Sequence, residues 1–169
     1  MVEHKKIAGK ISILLVEDSD TDAFIVQRIL DQRMEGRCDC MHAYDIHQAE
    51  EMLSAYPNIN AILLDLGLPD SQGPRATYKN FEKFKDRLPI IVLTSVEDHV
   101  TALDIIETGA LDYIYKHDIL NKPESLPRAI EFAISRHHSI MNHNHEILND
   151  LHQKEDLLKL MTGSYSTMS

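Results

Sequence analysis

The sequence is poor in the features that mark several classes of protein. It has only two cysteines and no tryptophan in 169 residues, and its longest clean apolar runs are four or five residues. A membrane-spanning helix needs about 20 apolar residues, so no such span is expected. The first residues, "MVEHKKIAGK", lack the apolar region of a secretory signal peptide. These absences favour a cytoplasmic protein.

An excess of positive charge is also missing. The chain has 17 lysines and arginines against 27 aspartates and glutamates, which gives a formal net charge of −10 at pH 7. Nucleic acids and anionic membranes are bound mainly through cationic side chains. We therefore expect neither nucleic acid nor a membrane among the partners.

The two cysteines, Cys38 and Cys40, are separated by one residue in "RCDCMHAY". On a strand this spacing places them on one face about 6–7 Å apart, which is a poor geometry for a disulfide. No metal ligands at a suitable spacing accompany them. We interpret them as reduced thiols that pack as small apolar side chains.

Short apolar runs alternate with segments of helical period along the first 120 residues. The predicted strands are 11–17, 38–44, 61–65, 89–95 and 112–116. Continuous apolar strands indicate a sheet that is covered on both faces, and strands alternating with helices indicate parallel βαβ units. The pattern predicts an α/β fold with a doubly wound, five-stranded parallel sheet of order 2-1-3-4-5, as in flavodoxin-like proteins.

Polar side chains stand at the ends of four of these strands. Glu17 and Asp18 follow the first, Asp65 ends the third, Thr94 ends the fourth and Lys116 ends the fifth. In the predicted strand order these ends meet at one edge of the sheet. Three neighbouring carboxylates repel one another unless a cation neutralises them, and oxygen ligands favour Mg²⁺, with Mn²⁺ as the alternative.

A nucleophilic carboxylate beside a divalent cation, a lysine and a hydroxyl has the parts of a phosphoryl-transfer site. In this interpretation Asp65 attacks phosphorus, Lys116 offsets charge on the phosphoryl oxygens and Thr94 donates a hydrogen bond. An aspartyl phosphatase would need a second aspartate two residues after the nucleophile. That position is Gly67, so the sequence does not favour a hydrolase.

The segments "LLVEDSDTDA", "ILLDLGLPDSQG", "IVLTS" and "GALDYIYK" resemble the receiver domain of two-component response regulators, including the chemotaxis regulators. The resemblance covers residues 11–128. It implies that Glu17 and Asp18 are the acidic pair that binds Mg²⁺ together with Asp65 and the backbone carbonyl of Gly67. It also implies that Asp65 accepts a phosphoryl group from a histidine kinase or a phosphotransfer protein.

The resemblance also assigns the switch residues. Thr94 and Lys116 would bind the phosphoryl group, and Tyr113 would be the aromatic side chain that moves with Thr94. Most receivers have proline after the lysine, but this chain has His117, and we expect "KHDILNKPES" to be a long loop. Gly67 and Val96 offer no carboxyl or carboxamide to position a water molecule, which predicts slow autodephosphorylation.

A long helix is predicted after residue 120. Ser125 and Pro127 are typical of a helix start, and no further proline or glycine occurs before Gly163, so the helix should run from about Leu126 to Met161. With a heptad that starts at position 130, the a, d and e positions hold ten apolar residues of fifteen. They are Ile130, Ala133, Ile134, Ile140, Met141, Ile147, Leu148, Leu151, Leu158 and Met161. This stripe, with Asn144 at an a position, predicts a homodimer.

One histidine of this helix suggests a second acceptor. His145, Glu146 and Asn149 resemble the phospho-acceptor box of histidine kinases, although Leu148 and Asp150 replace its usual arginine and proline. The resemblance equally fits a remnant of a kinase linker. A histidine-rich helix face that is simply exposed to solvent is the plainer interpretation.

These observations predict a single-domain response regulator, a signalling protein rather than a classical enzyme. The predicted organisation is an N-terminal extension (1–10), a receiver domain (11–128), an extended helix for dimerisation or partner binding (129–161) and a flexible C-terminus (162–169). The output would be a contact with a downstream effector protein, through the face of strands 4 and 5 or the helical tail. Two alternatives remain: a scaffold that acts without phosphorylation, and a relay protein with acceptors at Asp65 and His145.

Overall fold

The computed structural model describes residues 9–95 and 99–163, without the side chains of residues 99, 100, 102 and 163. Val96, the first eight residues and the last six lie outside the described residues, and with them parts of the predicted N-terminal extension and flexible C-terminus. The elements in chain order are β1 (Ile11–Val16), α1 (Asp20–Met34), β2 (Cys38–Ala43), α2 (Ile46–Ala55), β3 (Ala61–Asp65), α3 (Pro74–Phe81), a 3-10 helix (Glu82–Phe84), β4 (Ile90–Thr94), α4 (His99–Thr108), β5 (Asp112–Tyr115), α5 (Lys116–Asn121) and α6 (Ser125–Gly163).

The five strands form one parallel sheet in the order β2-β1-β3-β4-β5, which confirms the predicted fold and topology. Every residue of β3 and β4 is buried. A parallel sheet has helices on both faces, so its central strands have no solvent-exposed side. This explains why their sequences are continuous apolar runs.

Alternate side chains of each strand pack into two separate apolar clusters, one on each face of the sheet. Leu15 and Leu63 belong to the cluster that includes buried residues of α1 and α6. Leu14 and Leu64 belong to the cluster that includes residues of α2, α3 and α4. The sheet is therefore held from both sides, and its carboxyl edge is a rigid base for polar groups.

Local signals begin the helices as the sequence suggests. The side chain of Ser19 accepts a hydrogen bond from the Asp22 amide at the start of α1, and Asp45 does the same for the Gln48 amide at the start of α2. Pro74 stands in the first turn of α3, after Gly73, whose φ of 102° favours glycine.

The prediction of a long loop after β5 is wrong. Lys116–Asn121 form the short helix α5, and the loop that follows extends only to the start of α6. Ile119 of α5 is buried in the same cluster as α1 and α6. A six-residue helix is too short to show a helical period in the sequence, so only packing reveals it.

Contacts within the chain separate two units, residues 1–137 and 138–169, so the division falls inside α6. In the first unit Ile130, Ala133 and Ile134 are buried in the core beneath the sheet. The expectation that these three residues belong to an intermolecular stripe is therefore wrong, because they pack within the chain. The predicted domain boundary after residue 128 stays a prediction.

The second unit is the remainder of α6, and nearly all its described side chains are exposed. Its exposed large apolar residues are Ile140, Ile147, Leu148, Leu151, Leu157, Leu158, Leu160 and Met161. Among the described residues, none of the helices combines the length and the hydropathy that a membrane span requires.

Both cysteines are free thiols, as predicted. Cys38 is buried and Cys40 is half-buried. Burial raises the pKa of Cys38 to about 11 and that of Cys40 to about 12. The thiolate is the reactive form of cysteine, so these side chains are inert packing groups at neutral pH.

Candidate functional site

Three acidic side chains meet at the carboxyl edge of the sheet. Val16 pairs with Leu64, so Glu17 and Asp65 are the next residues along β1 and β3. Oxygen atoms of Glu17, Asp18 and Asp65 all lie within 4.8 Å of one another. Glu17 is fully buried, Asp65 is 7% exposed and Asp18 is exposed. The site is therefore a pocket with two buried acids at its floor and one at its rim.

Lys116 is the cation of this pocket. It is the first residue of α5 rather than the last residue of β5, and it follows Tyr115, which pairs with Thr94 of β4. Its Nζ lies 2.9 Å from Asp65 Oδ1 and 2.8 Å from Glu17 Oε2. The structure thus brings together Glu17, Asp18, Asp65 and Lys116, which the sequence placed at one edge of the sheet.

The charges in the pocket perturb one another. Burial raises the pKa of Glu17 from its ordinary value of 4.5 to about 7; Lys116 opposes this rise, and the charge of Asp65 adds to it. Burial lowers the pKa of Lys116, but its contacts with Asp65, Glu17 and Asp22 outweigh that effect and hold the pKa above its ordinary value. The pocket therefore carries more negative than positive charge. When no cation is bound, Glu17 takes up a proton near neutral pH.

The pocket fits a small divalent cation. Three carboxylates supply hard oxygen ligands, and the exposed Asp18 leaves one side open to water, which Mg²⁺ usually retains in its coordination sphere. Glu17 Oε2 is buried and is paired with Lys116 Nζ at 2.8 Å. The single charge of Lys116 is shared among Glu17, Asp22 and Asp65, so a bound divalent cation would offset the negative charge that remains.

Thr94 and Tyr113 occupy the neighbouring strands β4 and β5. Thr94 is buried, and its hydroxyl donates to the Ser95 carbonyl at 3.0 Å. Tyr113 is half-buried, and its ring meets that of Tyr115 edge to face, with centroids 5.4 Å apart. Their predicted role as switch residues stays a prediction.

The loop between β3 and α3 is anchored from both sides. The Gly67 amide donates to Asp65 Oδ2 at 2.8 Å, and a Cβ at this position would lie only 3.1 Å from the same oxygen. Thr77 of α3 is fully buried, and its hydroxyl lies 2.9 Å from the Leu66 carbonyl. Asp70 accepts a hydrogen bond from the Ile46 amide. These contacts hold the backbone beside Asp65 in place.

Sequence reasoning missed three side chains around the pocket. Asp22 accepts a hydrogen bond from Lys116, His42 lies 2.7 Å from the Glu17 carbonyl through Nε2, and Thr77 holds the Leu66 carbonyl. Asp22 carries the one usable signal, because it stands four residues after Asp18 on the first turn of α1. The other two are brought in by tertiary packing alone.

His145, the predicted second acceptor, lies in the second unit of the chain. Its side chain is exposed on α6, as are those of Glu146 and Asn149. Exposure makes His145 accessible to a phosphoryl donor, and it is equally what a solvated helix face shows. The role of His145 stays a prediction.

Comparison with known proteins adds independent evidence. The model of the response regulator receiver domain family matches residues 13–130. The transcriptional regulatory protein SrrA of Staphylococcus aureus is 33% identical over an alignment of 109 residues, which covers 62% of this chain and 41% of that protein. The chain thus spans less than half the length of this curated relative.

Two solved structures show the same fold. The receiver domain of the Francisella response regulator 1452 has a TM-score of 0.58 at 20% identity, over 75% of this chain and 98% of that one. A fusion with the trimeric coiled coil of yeast Spc42 has a TM-score of 0.67 at 21% identity, over 90% and 97% of the two chains. With more than half of its residues matched by the family model and the 2-1-3-4-5 sheet in place, the chain belongs to the response regulator receiver domain family.

Proposed function

We propose that this chain accepts a phosphoryl group on Asp65 from a phosphohistidine of a histidine kinase or a phosphotransfer protein. The observation that carries the proposal is the placement of Lys116 Nζ 2.9 Å from Asp65 Oδ1, in a pocket that Glu17 and Asp18 complete. A carboxylate beside a lysine and a metal-binding acidic pair suits attack on phosphorus.

The transfer moves one group between two proteins. A carboxylate oxygen of Asp65 forms a bond to phosphorus while the bond from phosphorus to the donor's imidazole nitrogen breaks, and the released imidazole takes a proton from solvent. Lys116 offsets charge on the phosphoryl oxygens. The Thr94 hydroxyl, which now donates to the Ser95 carbonyl, turns to donate to a phosphoryl oxygen.

Glu17, Asp18, Asp65 and the Gly67 carbonyl are the proposed ligands of Mg²⁺, with Mn²⁺ as the alternative. Receiver domains bind Mg²⁺ at an acidic pocket of this kind, and the clustered oxygens of the three acids support the assignment. When bound, the cation offsets the negative charge of the transferring group. The carboxylates keep it next to Asp65, where that charge is greatest.

The signal would leave the protein through a change of shape. An acyl phosphate adds nearly one further negative charge to Asp65 and three strong acceptor oxygens. Thr94 moving toward these oxygens would free space for Tyr113, which alters the surface of β4 and β5. We propose that a downstream effector protein binds this surface or the helical tail.

We also propose that the second unit of the chain forms a homodimer through α6. Six residues of the predicted stripe in this unit are exposed in the single chain: Ile140, Ile147, Leu148, Leu151, Leu158 and Met161. Apolar side chains at a, d and e spacing gain most when a second helix covers them. Asn144 at an a position would set the register of that pairing.

Intact-mass measurement tests the central proposal. The wild type and Asp65→Asn are incubated with Mg²⁺ and acetyl phosphate, a small phosphoryl donor, and with a phosphorylated phosphotransfer domain. The wild type is expected to gain one phosphoryl group and Asp65→Asn none. A folded wild type that gains no mass with either donor would contradict the proposal and favour a scaffold that acts without phosphorylation.

The same measurement addresses the relay alternative. Phosphate on His145 would survive Asp65→Asn, disappear in His145→Ala and hydrolyse in acid. We expect no such species. Its appearance would establish a second acceptor on α6.

A further inference from the structure

Asp22 is the third carboxylate on the site's lysine. Its Oδ2 accepts a hydrogen bond from Lys116 Nζ at 2.9 Å, the same length as the contact between Lys116 and Asp65. Asp22 lies in the first turn of α1, outside the group of three acids that could share a cation. Its contact with the pocket therefore runs through Lys116.

The usual role of an acid at this helix position does not account for Asp22. Ser19 is the N-cap of α1 and Asp22 is the third residue of the helix, which is the spacing of a capping box. In a capping box the acidic side chain accepts a hydrogen bond from the N-cap amide. Here the Ser19 amide donates to Glu17 Oε1 at 3.2 Å instead. The Asp22 carboxylate is thereby available to Lys116.

The contacts of Lys116 create competition for its protons. An ammonium group has three N–H donors, and carboxylate oxygens of Glu17, Asp22 and Asp65 stand 2.8–2.9 Å from Nζ. A phosphoryl oxygen needs one of these donors. When Asp65 becomes an acyl phosphate it loses its carboxylate charge, but Asp22 keeps its own charge and its hydrogen bond.

We propose that Asp22 is a positioning residue that restrains Lys116 and slows the phosphorylation of Asp65. This inference rests on the proposed function. The Asp22 charge draws Lys116 toward α1 and so keeps one of its N–H donors from the incoming phosphoryl group. It thus sets a low rate for small donors that bring no other binding energy, and it favours a protein partner whose docking compensates.

Neutralising Asp22 should speed phosphorylation. Asp22→Asn keeps the shape of the side chain and an acceptor oxygen but removes the charge. With saturating Mg²⁺ and acetyl phosphate, the initial rate of mass gain is expected to rise about three- to tenfold, because a neutral amide competes less strongly than a carboxylate for the protons of Lys116.

Two variants separate charge from shape. Asp20→Asn removes the same charge from the same helix turn, where Asp20 is exposed and faces Tyr44 rather than Lys116, and its rate should stay within twofold of wild type. Asp22→Glu keeps the charge and should also stay within twofold. In a Lys116→Met background, Asp22→Asn should have no effect, because its influence runs through the lysine.

Circular dichroism first confirms that each variant is folded. If Asp22→Asn is not folded, Asp22→Ser replaces it as the neutral variant. The inference is overturned if a folded neutral variant at position 22 reacts at the wild-type rate or more slowly, or if Asp20→Asn accelerates the reaction equally. A wild type that is never phosphorylated would instead overturn the proposed function. A wild type that is phosphorylated beside an unaltered Asp22→Asn defeats this inference alone.

Discussion

Replacing Glu17 by glutamine should stabilise the metal-free protein, although Glu17 is a proposed ligand of Mg²⁺. Glu17 is fully buried at the end of β1, and burial raises its pKa from 4.5 to about 7. At pH 8 the native state must therefore hold a buried carboxylate that is more stable in water. Glutamine has nearly the same shape and no charge to bury.

The magnitude follows from linkage. Between the unfolded pKa of 4.5 and the folded pKa of about 7, the native state binds a proton that the unfolded state does not, so stability falls as the pH rises. The contribution of Glu17 is fully present below pH 4.5 and is lost as the pH passes 7. Between pH 5 and pH 8 the loss is roughly 2–3 kcal/mol at 1.4 kcal/mol per pH unit.

Urea denaturation in EDTA, followed by circular dichroism at several pH values, measures this effect. The free energy of unfolding of Glu17→Gln minus that of wild type should rise by roughly 2–3 kcal/mol from pH 5 to pH 8. Glu107→Gln, a change at an exposed glutamate of α4, should give a flat difference. A flat difference for Glu17→Gln as well would refute the assigned pKa and the reasoning from burial.

Magnesium should stabilise the wild type more than Glu17→Gln. A cation that binds the native state stabilises it in proportion to the logarithm of its concentration. At pH 8, adding millimolar Mg²⁺ should raise the stability of the wild type more than that of Glu17→Gln, because the variant lacks one anionic ligand. If Mg²⁺ stabilised both proteins equally, Glu17 would not be a ligand of the metal.

Three further outcomes are expected. Thr77→Val should lower the free energy of unfolding by about 1–2 kcal/mol in urea denaturation, since the buried Leu66 carbonyl loses a donor, whereas Thr77→Ser should lose less. Gly67→Asn should shorten the lifetime of the acyl phosphate by placing a carboxamide near the attacking water, with Gly67→Ala as the control that adds only the Cβ; equal lifetimes would contradict this. In sedimentation velocity, Leu151→Lys should shift the sedimentation coefficient toward that of the monomer. Gln153→Lys, which adds the same charge on the opposite helix face, should not. A wild type that is monomeric at high concentration would refute the dimer.

The strands could be predicted from local pattern, and their order from the doubly wound arrangement that alternating strands and helices favour. Runs such as "AILL" and "IIVL" are apolar without interruption because both faces of the sheet are covered, and burial of this kind is visible in the sequence. The acidic residues at the ends of β1 and β3 could also be identified directly from the sequence. The carboxyl ends of parallel strands lie at one edge of the sheet, so the sequence alone places Glu17, Asp18 and Asp65 together.

Other features depended on which surface packs against which. The period of α6 marks an apolar stripe without saying whether its partner is the same chain or another. Ile130, Ala133 and Ile134 pack into the sheet's core, while Leu151 and Leu158 remain exposed. The short helix α5 gives no periodic signal in the sequence. Its Ile119 packs into the core, and this tertiary contact stabilises the helix.

The sequence by itself determined the sheet, the acidic edge and the family, because these depend on periodicity and on the order of residues along the chain. Only the tertiary structure decided the partners of Lys116. Asp22 and Lys116 are 94 positions apart, and nothing local in "SDTD" distinguishes a helix-capping acid from one that holds a lysine. The folding of α1 and α5 against the same sheet edge brings the two charges within 2.9 Å, and a contact between distant segments is a property of the packed molecule.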